Sequence, residues 1–286
     1  MRKSDQVVMI IAALAGFGYG LAVVLTFPQR HAPFWMVWMA FALATATAAG
    51  ALAGYGRSCW HELTGELKDV YKLRIPQVAG PVAIIAILGL ALMVIPPSLA
   101  EPAHVIVRGW LVPAFALLGA VPAAGVMFGV RRAAGDARPA ASGDLVDLLL
   151  TLRWLLQRLL IVAGTAVALT TFTTGTWWLL EHSLHAPYGN RPPQFVLVFG
   201  AYGSLLVGVV YVPAWTAVQR RGQRLCYELF PLHGVNEEPA ILDRVGERQK
   251  LQQMLGLDRG ILADLQGGMI ILAPLLAAAA AAFLPH

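Results

Sequence analysis

Residues 159–180 read LLIVAGTAVALTTFTTGTWWLL, an apolar and hydroxylic run without one charged side chain. A helix advances about 1.5 Å per residue and the hydrocarbon core of a bilayer is about 30 Å thick, so a run of this length reads as a membrane span. Outward from it the same reading finds Val7–Phe27, Phe34–Tyr55, Val78–Ile95, Gly109–Val130, Phe195–Val218 and the shorter Met269–Leu284, which contains Pro274. Composition agrees: the 286 residues are 58% hydrophobic and 13% charged, whereas charged residues make up about a quarter of a soluble globular domain. The expected fold class is an all-α polytopic membrane protein with six to seven transmembrane helices.

Basic residues orient those spans. Of the 21 Lys and Arg, a cytoplasmic N-terminus leaves only Arg30, Arg108 and Arg191 outside and places the other 18 inside, which is the positive-inside asymmetry. The expectation is a multi-pass protein of the cell membrane with amphipathic helices on the cytoplasmic side and the lipid bilayer as its first partner. The net charge of +5 is read as topology and as contact with anionic lipid at the cytoplasmic face, not as affinity for nucleic acid. The Met-Arg-Lys start resembles that of a signal peptide. The apolar run behind it is longer than a signal's, and Pro28-Gln29-Arg30-His31 offers no small-residue cleavage site, so a retained signal-anchor is expected. Cys59 and Cys226 both fall in cytoplasmic segments without metal-ligand spacing, and neither a disulfide nor a metal site is expected.

Three regions follow: a four-span half at 1–130, a linker rich in Ala, Gly, Arg and Pro at 131–142, and a three-span half at 143–286 that includes a cytoplasmic helical segment at 219–266. The two halves are expected to pack as one bundle. Beyond Asp144, a fitting N-cap, Leu145, Leu148, Leu149, Leu152, Leu155, Leu156 and Leu159 recur at three and four residues. Nothing breaks that helix before Trp177, so it runs into the fifth span and projects beyond the bilayer. Its leucine face needs a partner. The segment Gln219–Gln266 offers one, with Pro239 suited to a first helical turn and Ile241, Leu242, Val245, Leu251, Met254 and Leu255 in a broken apolar stripe. Trp35, Trp38, Trp110, Trp177 and Trp178 near the outer boundary, with Trp60, Trp154 and Trp215 near the inner one, read as anchoring belts.

Several functional classes are excluded by what the spans lack. No ionisable side chain lies in the middle of any of them, which removes proton relays, voltage sensing and a Schiff-base lysine. All seven histidines lie at span ends or in loops, so a buried bis-histidine haem fails too. The Gly-x-Ser-Gly of an intramembrane serine protease is missing, and His61-Glu62-Leu63-Thr64-Gly65 lacks the second histidine of a zinc-protease helix. Gly18-Tyr19-Gly20 and Gly54-Tyr55-Gly56 contain the tripeptide of potassium filters, but both lie in complete spans, where close helix packing through small residues accounts for them.

Two clusters remain as candidates. Thr170, Thr171, Thr173 and Thr174, flanked by Thr165 and Thr176, either bond back to their own helix and pack between helices or line a hydrated path. Glu181, His182 and His185 form an outer polar cluster that is a transition-metal site, a pH-responsive group or an interfacial loop. No catalytic, cofactor-binding or metal-binding residue is assigned. The leading expectation is a transport or pore-forming membrane protein of unknown substrate, assembled as a homo-oligomer, with the fifth span facing the path. The competing reading is a sensor or assembly subunit that binds a cytoplasmic protein partner, and a third is a membrane-embedded enzyme using loop residues.

The charge bias predicts that cysteines introduced at Ser98 and Asn190 react with an impermeant thiol reagent added outside sealed cells, while those at Ala141 and Gly234 do not. Labelling of the Ala141 variant from outside overturns the orientation.

Overall fold

The computed structural model describes residues 3–27, 32–66, 80–84, 86–87, 103–136, 142–184, 194–231 and 238–258. Among these residues there is no strand, and the helices are α1 (Lys3–Leu25), α2 (Trp35–Glu66), α3 (Ala103–Asp136), α4 (Ser142–Ser183), α5 (Gln194–Leu229) and α6 (Glu238–Met254). Five are long and apolar enough to cross a membrane, over Ser4–Leu25, Trp35–Gly65, Trp110–Gly135, Gly143–Ser183 and Val196–Leu229. Residues 80–84, 86 and 87 are helical as well and belong to the expected third span. The rest of Val78–Ile95, and all of Met269–Leu284, lie outside the described residues.

The apolar runs form helices for the reason they cross a bilayer: without water, every backbone N–H and C=O must be satisfied within the segment. Helix α4 is the longest, at 42 residues, or about 63 Å at about 1.5 Å per residue. It is continuous from the leucine stripe through the threonine run, as the sequence implies. Asp144 sits in its first turn, not at its cap, where its charge still complements the positive end of the helix dipole. Helix α3 continues through Asp136, into the segment read as linker.

Helix α2 is the hub. It packs against α1 on one side and against α3 and α4 on the other, while α5 closes the ring by touching α3 and α4. The α1 contact is made backbone to backbone. A Cβ built on Gly16 would collide with the Ala46 carbonyl oxygen, one on Gly50 with that of Ala12, and one on Gly54 would lie 2.8 Å from Met9 Cα. Across the hub, a Cβ on Gly56 would fall 2.7 Å from the Ala123 nitrogen. Gly54-Tyr55-Gly56 is therefore a packing device on both sides, and in the first string Gly20 packs on Ala46. Their tyrosines are rivets: the Tyr19 hydroxyl donates to the Leu111 carbonyl at 3.1 Å, its ring stacks on Phe115 at 4.3 Å, and Tyr55 is buried in the main core.

Large side chains gather at the two ends of the bundle. At one end the stripe from Leu145 to Leu159 is buried against Tyr55, Cys59 and Leu63 of α2, Val126 and Val130 of α3 and Tyr211, Ala214 and Val218 of α5. Its partner is thus broader than the 219–266 segment, which supplies Leu225, Cys226 and Leu255. At the other end Trp38 and Trp177 pack with ring centroids 5.0 Å apart, and Phe27 contacts both at 5.5 and 5.7 Å. These two tryptophans are 1% and 3% exposed. They hold α1, α2 and α4 together, and do not serve as the interfacial anchors their positions suggest.

Helix α6 folds back along α5 and ends in a Schellman motif, with Leu257 N–H donating to the Gln252 carbonyl at 2.8 Å and Gly256 N–H to that of Gln253 at 2.9 Å. Gly256 adopts φ +59°, a conformation glycine reaches without strain. Arg153 of α4 donates to the Leu255 carbonyl, placing a cation on the negative end of α6. Leu257 then fills a notch at Gly222, where a Cβ would lie 2.8 Å from its side chain.

The glycine contacts set up a matched pair of substitutions. Gly50→Ala is expected to lower stability by about 1–3 kcal/mol or more, because a methyl group is forced into a rigid carbonyl of α1. Gly18→Ala, where a Cβ meets nothing within 4 Å, is expected to be neutral or stabilising by up to about 1 kcal/mol through helix propensity. Unfolding of both variants in detergent measures the difference, and equal stabilities contradict backbone-to-backbone packing at Gly50.

Candidate functional site

The threonines of α4 were the strongest polar signal in any span, and the structure shows where their protons go. Each hydroxyl bonds to the carbonyl one turn earlier: Thr165 to Ile161 at 2.9 Å, Thr170 to Ala166 at 2.6 Å, Thr171 to Val167 at 2.8 Å, Thr173 to Leu169 at 2.9 Å, Thr174 to Thr170 at 2.9 Å and Thr176 to Phe172 at 3.0 Å. From Thr170 onward all five are buried. Hydrocarbon offers a hydroxyl nothing to bond, so donation to the parent helix is the default.

One of the five also reaches a neighbouring helix. Thr173 Oγ1 lies 2.6 Å from Thr45 Oγ1 and 3.1 Å from the Phe41 carbonyl of α2. A hydroxyl has one proton and two lone pairs, so when Thr173 donates to a carbonyl Thr45 donates to it. Above the pair, Phe41 stacks on Phe172 at 5.5 Å. This contact fixes α4 on the hub between the two bulky ends.

Beside α4 lies a partly open cavity of about 120 Å³, lined by α3, α4, α5 and the third-span residues Val82 and Ala86. Small side chains create it: Ala116, Ala120 and Ala124 on α3, Ala163 and Ala166 on α4, Gly203 on α5. Thr170 and Thr171 belong to its wall, as do Tyr202 and Pro113. Thr173 and Thr174 do not line it. The two wall threonines have spent their protons on the Ala166 and Val167 carbonyls, leaving a surface of methyl groups and aliphatic chains. An apolar cavity of about 150 Å³ is known to stay dry and to take benzene or xenon, so this one is suited to hydrocarbon and not to a hydrated ion.

The outer polar cluster is not assembled by its described members. Glu181 is 2% exposed and turned inward, whereas His182 is exposed and stacks on Trp178 at 5.3 Å. Successive helical residues are about 100° apart, which carries the two to different faces. His185 lies outside the described residues. Among the described residues no three His, Cys, Asp or Glu side chains come together as a metal site, and Cys59 and Cys226 are buried free thiols.

The sequence reading passed over the alanines that make the cavity. Their four-residue spacing along α3 carries the same signal as close helix packing, and only the arrangement in space separates a filled contact from a void. Comparison with protein families, with curated proteins and with solved structures finds no match to this chain.

The hydrogen-bond geometry separates two valine substitutions that look alike in sequence. Thr173→Val removes the link to Thr45 and is expected to cost about 0.6–1.7 kcal/mol, the range of interhelical hydrogen bonds in membranes. Thr170→Val loses only a bond to its own helix and should stay within about 0.5 kcal/mol of the parent. Thermal or denaturant unfolding in one detergent decides it, and a larger loss for Thr170→Val contradicts the assignment.

Proposed function

We propose that the protein is an integral membrane transport protein whose solute is amphipathic and places an apolar portion in the α3–α4–α5 cavity. In this reading the chain crosses the cell membrane six or seven times with its N-terminus in the cytoplasm, Val78–Ile95 and Met269–Leu284 joining the five apolar helices. The observation that carries it is the wall of the cavity, built from alanine and valine with Thr170 and Thr171 already bonded to their own helix. A path for hydrated ions needs hydroxyls or carbonyls free to replace water. The wall threonines offer methyl groups instead, and the transport reading narrows from a pore to a carrier of hydrocarbon-bearing molecules.

A second reading, a subunit that binds a cytoplasmic protein, draws on α6. Leu242, Val245 and Met254 are 67%, 40% and 68% exposed there, while Leu251 and Leu255 pack inward.

Proteoliposomes test the proposal. With nitrobenzoxadiazole-labelled phosphatidylcholine as the amphiphile, dithionite bleaching reports its movement between leaflets, and potassium efflux is followed in parallel. The expected result is accelerated lipid movement without potassium efflux, abolished by Ala166→Phe, which fills the cavity while the melting temperature is kept. Potassium efflux without lipid movement supports a hydrated pore instead. Neither flux, together with stoichiometric co-purification of a soluble protein, supports the subunit reading.

A further inference from the structure

Arg158 stands one residue before the uncharged run that begins at Leu159, at the end of the bundle that holds the leucine core. Its guanidinium lies 4.0 Å from the centroid of the Trp154 ring and 5.5 Å from that of Tyr55. Aromatic rings satisfy the faces of the cation, but its N–H donors point along the plane of the group, and among the described residues none of them donates a hydrogen bond. Among the described residues no carboxylate pairs with it either. Glu62, two turns along α2 from Tyr55, forms no ion pair with it. The nitrogens of Arg158 are not sealed in, since they are absent from the buried polar atoms that lack a partner.

The surroundings say which anion suits the fork. Trp154 is 47% exposed and Ile161 53% exposed, and Thr165 is exposed too. Positions 154, 158, 161 and 165 follow one another at three and four residues, so they form a single outward strip of α4. The strip begins with an indole at the membrane boundary, passes the guanidinium, and continues as aliphatic surface facing hydrocarbon. A molecule that matches it from end to end has an anionic oxygen group at Arg158 and an apolar chain over Ile161 and Thr165. A guanidinium fork binds phosphate oxygens two at a time.

We propose that Arg158, backed by the rings of Trp154 and Tyr55, is the phosphate-binding residue of a site for one anionic phospholipid, whose acyl chain lies along Ile161 and Thr165. The site is separate from the α3–α4–α5 cavity and does not depend on transport. It gives the general attraction of a basic membrane face to anionic lipid a defined position and a stoichiometry of one.

Native mass spectrometry of the detergent-solubilised protein, titrated with phosphatidylglycerol or phosphatidylcholine, tests it. The parent protein is expected to retain one phosphatidylglycerol in preference to phosphatidylcholine, with a matching rise in melting temperature. Arg158→Gln should weaken that binding about tenfold, as expected when a charge-assisted hydrogen bond is lost. Arg158→Lys keeps the charge and the fold but loses the planar fork, so its selectivity should fall between the two. Arg57→Gln, on the exposed side of α2, should leave binding unchanged. Phosphatidylglycerol bound equally well by the parent and both Arg158 variants overturns the proposal. So does protection by inorganic phosphate equal to that by phosphatidylglycerol, which identifies a site for the free anion.

Discussion

Helices surrounded by hydrocarbon gain nothing by hiding leucine from water, so what holds this bundle at mid-membrane height is the closeness with which α2 approaches its neighbours. Gly16, Gly50 and Gly54 bring the α1 and α2 backbones within van der Waals reach, and Gly56 does the same for α2 and α3. Dispersion depends steeply on separation, and each added Cβ would forfeit the contact along its whole turn. Helix α1 shows how much rests on this: α2 is its main packing partner, with smaller contacts to α3 and to the Trp177 end of α4, and Val7, Ile10, Ile11, Leu14, Leu21 and Leu25 remain exposed along it.

Bulk is distributed to suit that constraint. The small residues that permit close approach occupy the middle of the helices, while leucines and aromatic rings are collected at the ends, in the stripe from Leu145 to Leu159 and in the Phe27, Trp38 and Trp177 cluster. Small residues on α3 serve α2 where they face it, as at Gly119, where a Cβ would lie 2.5 Å from the Ala49 carbonyl oxygen. Where they face α4 and α5, as at Ala120 and Ala124, no close backbone takes up the space and a cavity remains. The same residue type thus produces a tight joint on one side of α3 and a void on the other.

This explains what could be read in advance and what could not. Hydropathy and length mark α1 to α5 because each segment must satisfy its own backbone in lipid, a local requirement. The leucine spacing of α4 announced a buried face for the same reason. Which helix covers that face is a non-local matter, and α2, α3 and α5 cover it as well as the segment beyond Gln219. Trp38 and Trp177 show the limit of reading by position: a tryptophan at a span end is an anchor or a core residue according to the side of the helix it occupies. The threonines of α4 carry two meanings in sequence, and spacing alone could not show that each hydroxyl lies within hydrogen-bond reach of a carbonyl one turn back.

Rotation about the α4 axis also decides the work of its two arginines. Arg153 and Arg158 are five residues apart, or about 140° around the helix at about 100° per residue. Arg153 faces the groove between α4 and α5, where the end of α6 returns and presents the unsatisfied Leu255 carbonyl. Its charge is used on the protein's own helix terminus, and with Leu257 in the Gly222 notch it holds the α6 segment on the bundle. Arg158 faces the strip of Trp154 and Ile161, where among the described residues no carbonyl or carboxylate meets it. Two residues identical in the charge count therefore have separate roles, one closing the fold and one left open toward the membrane boundary.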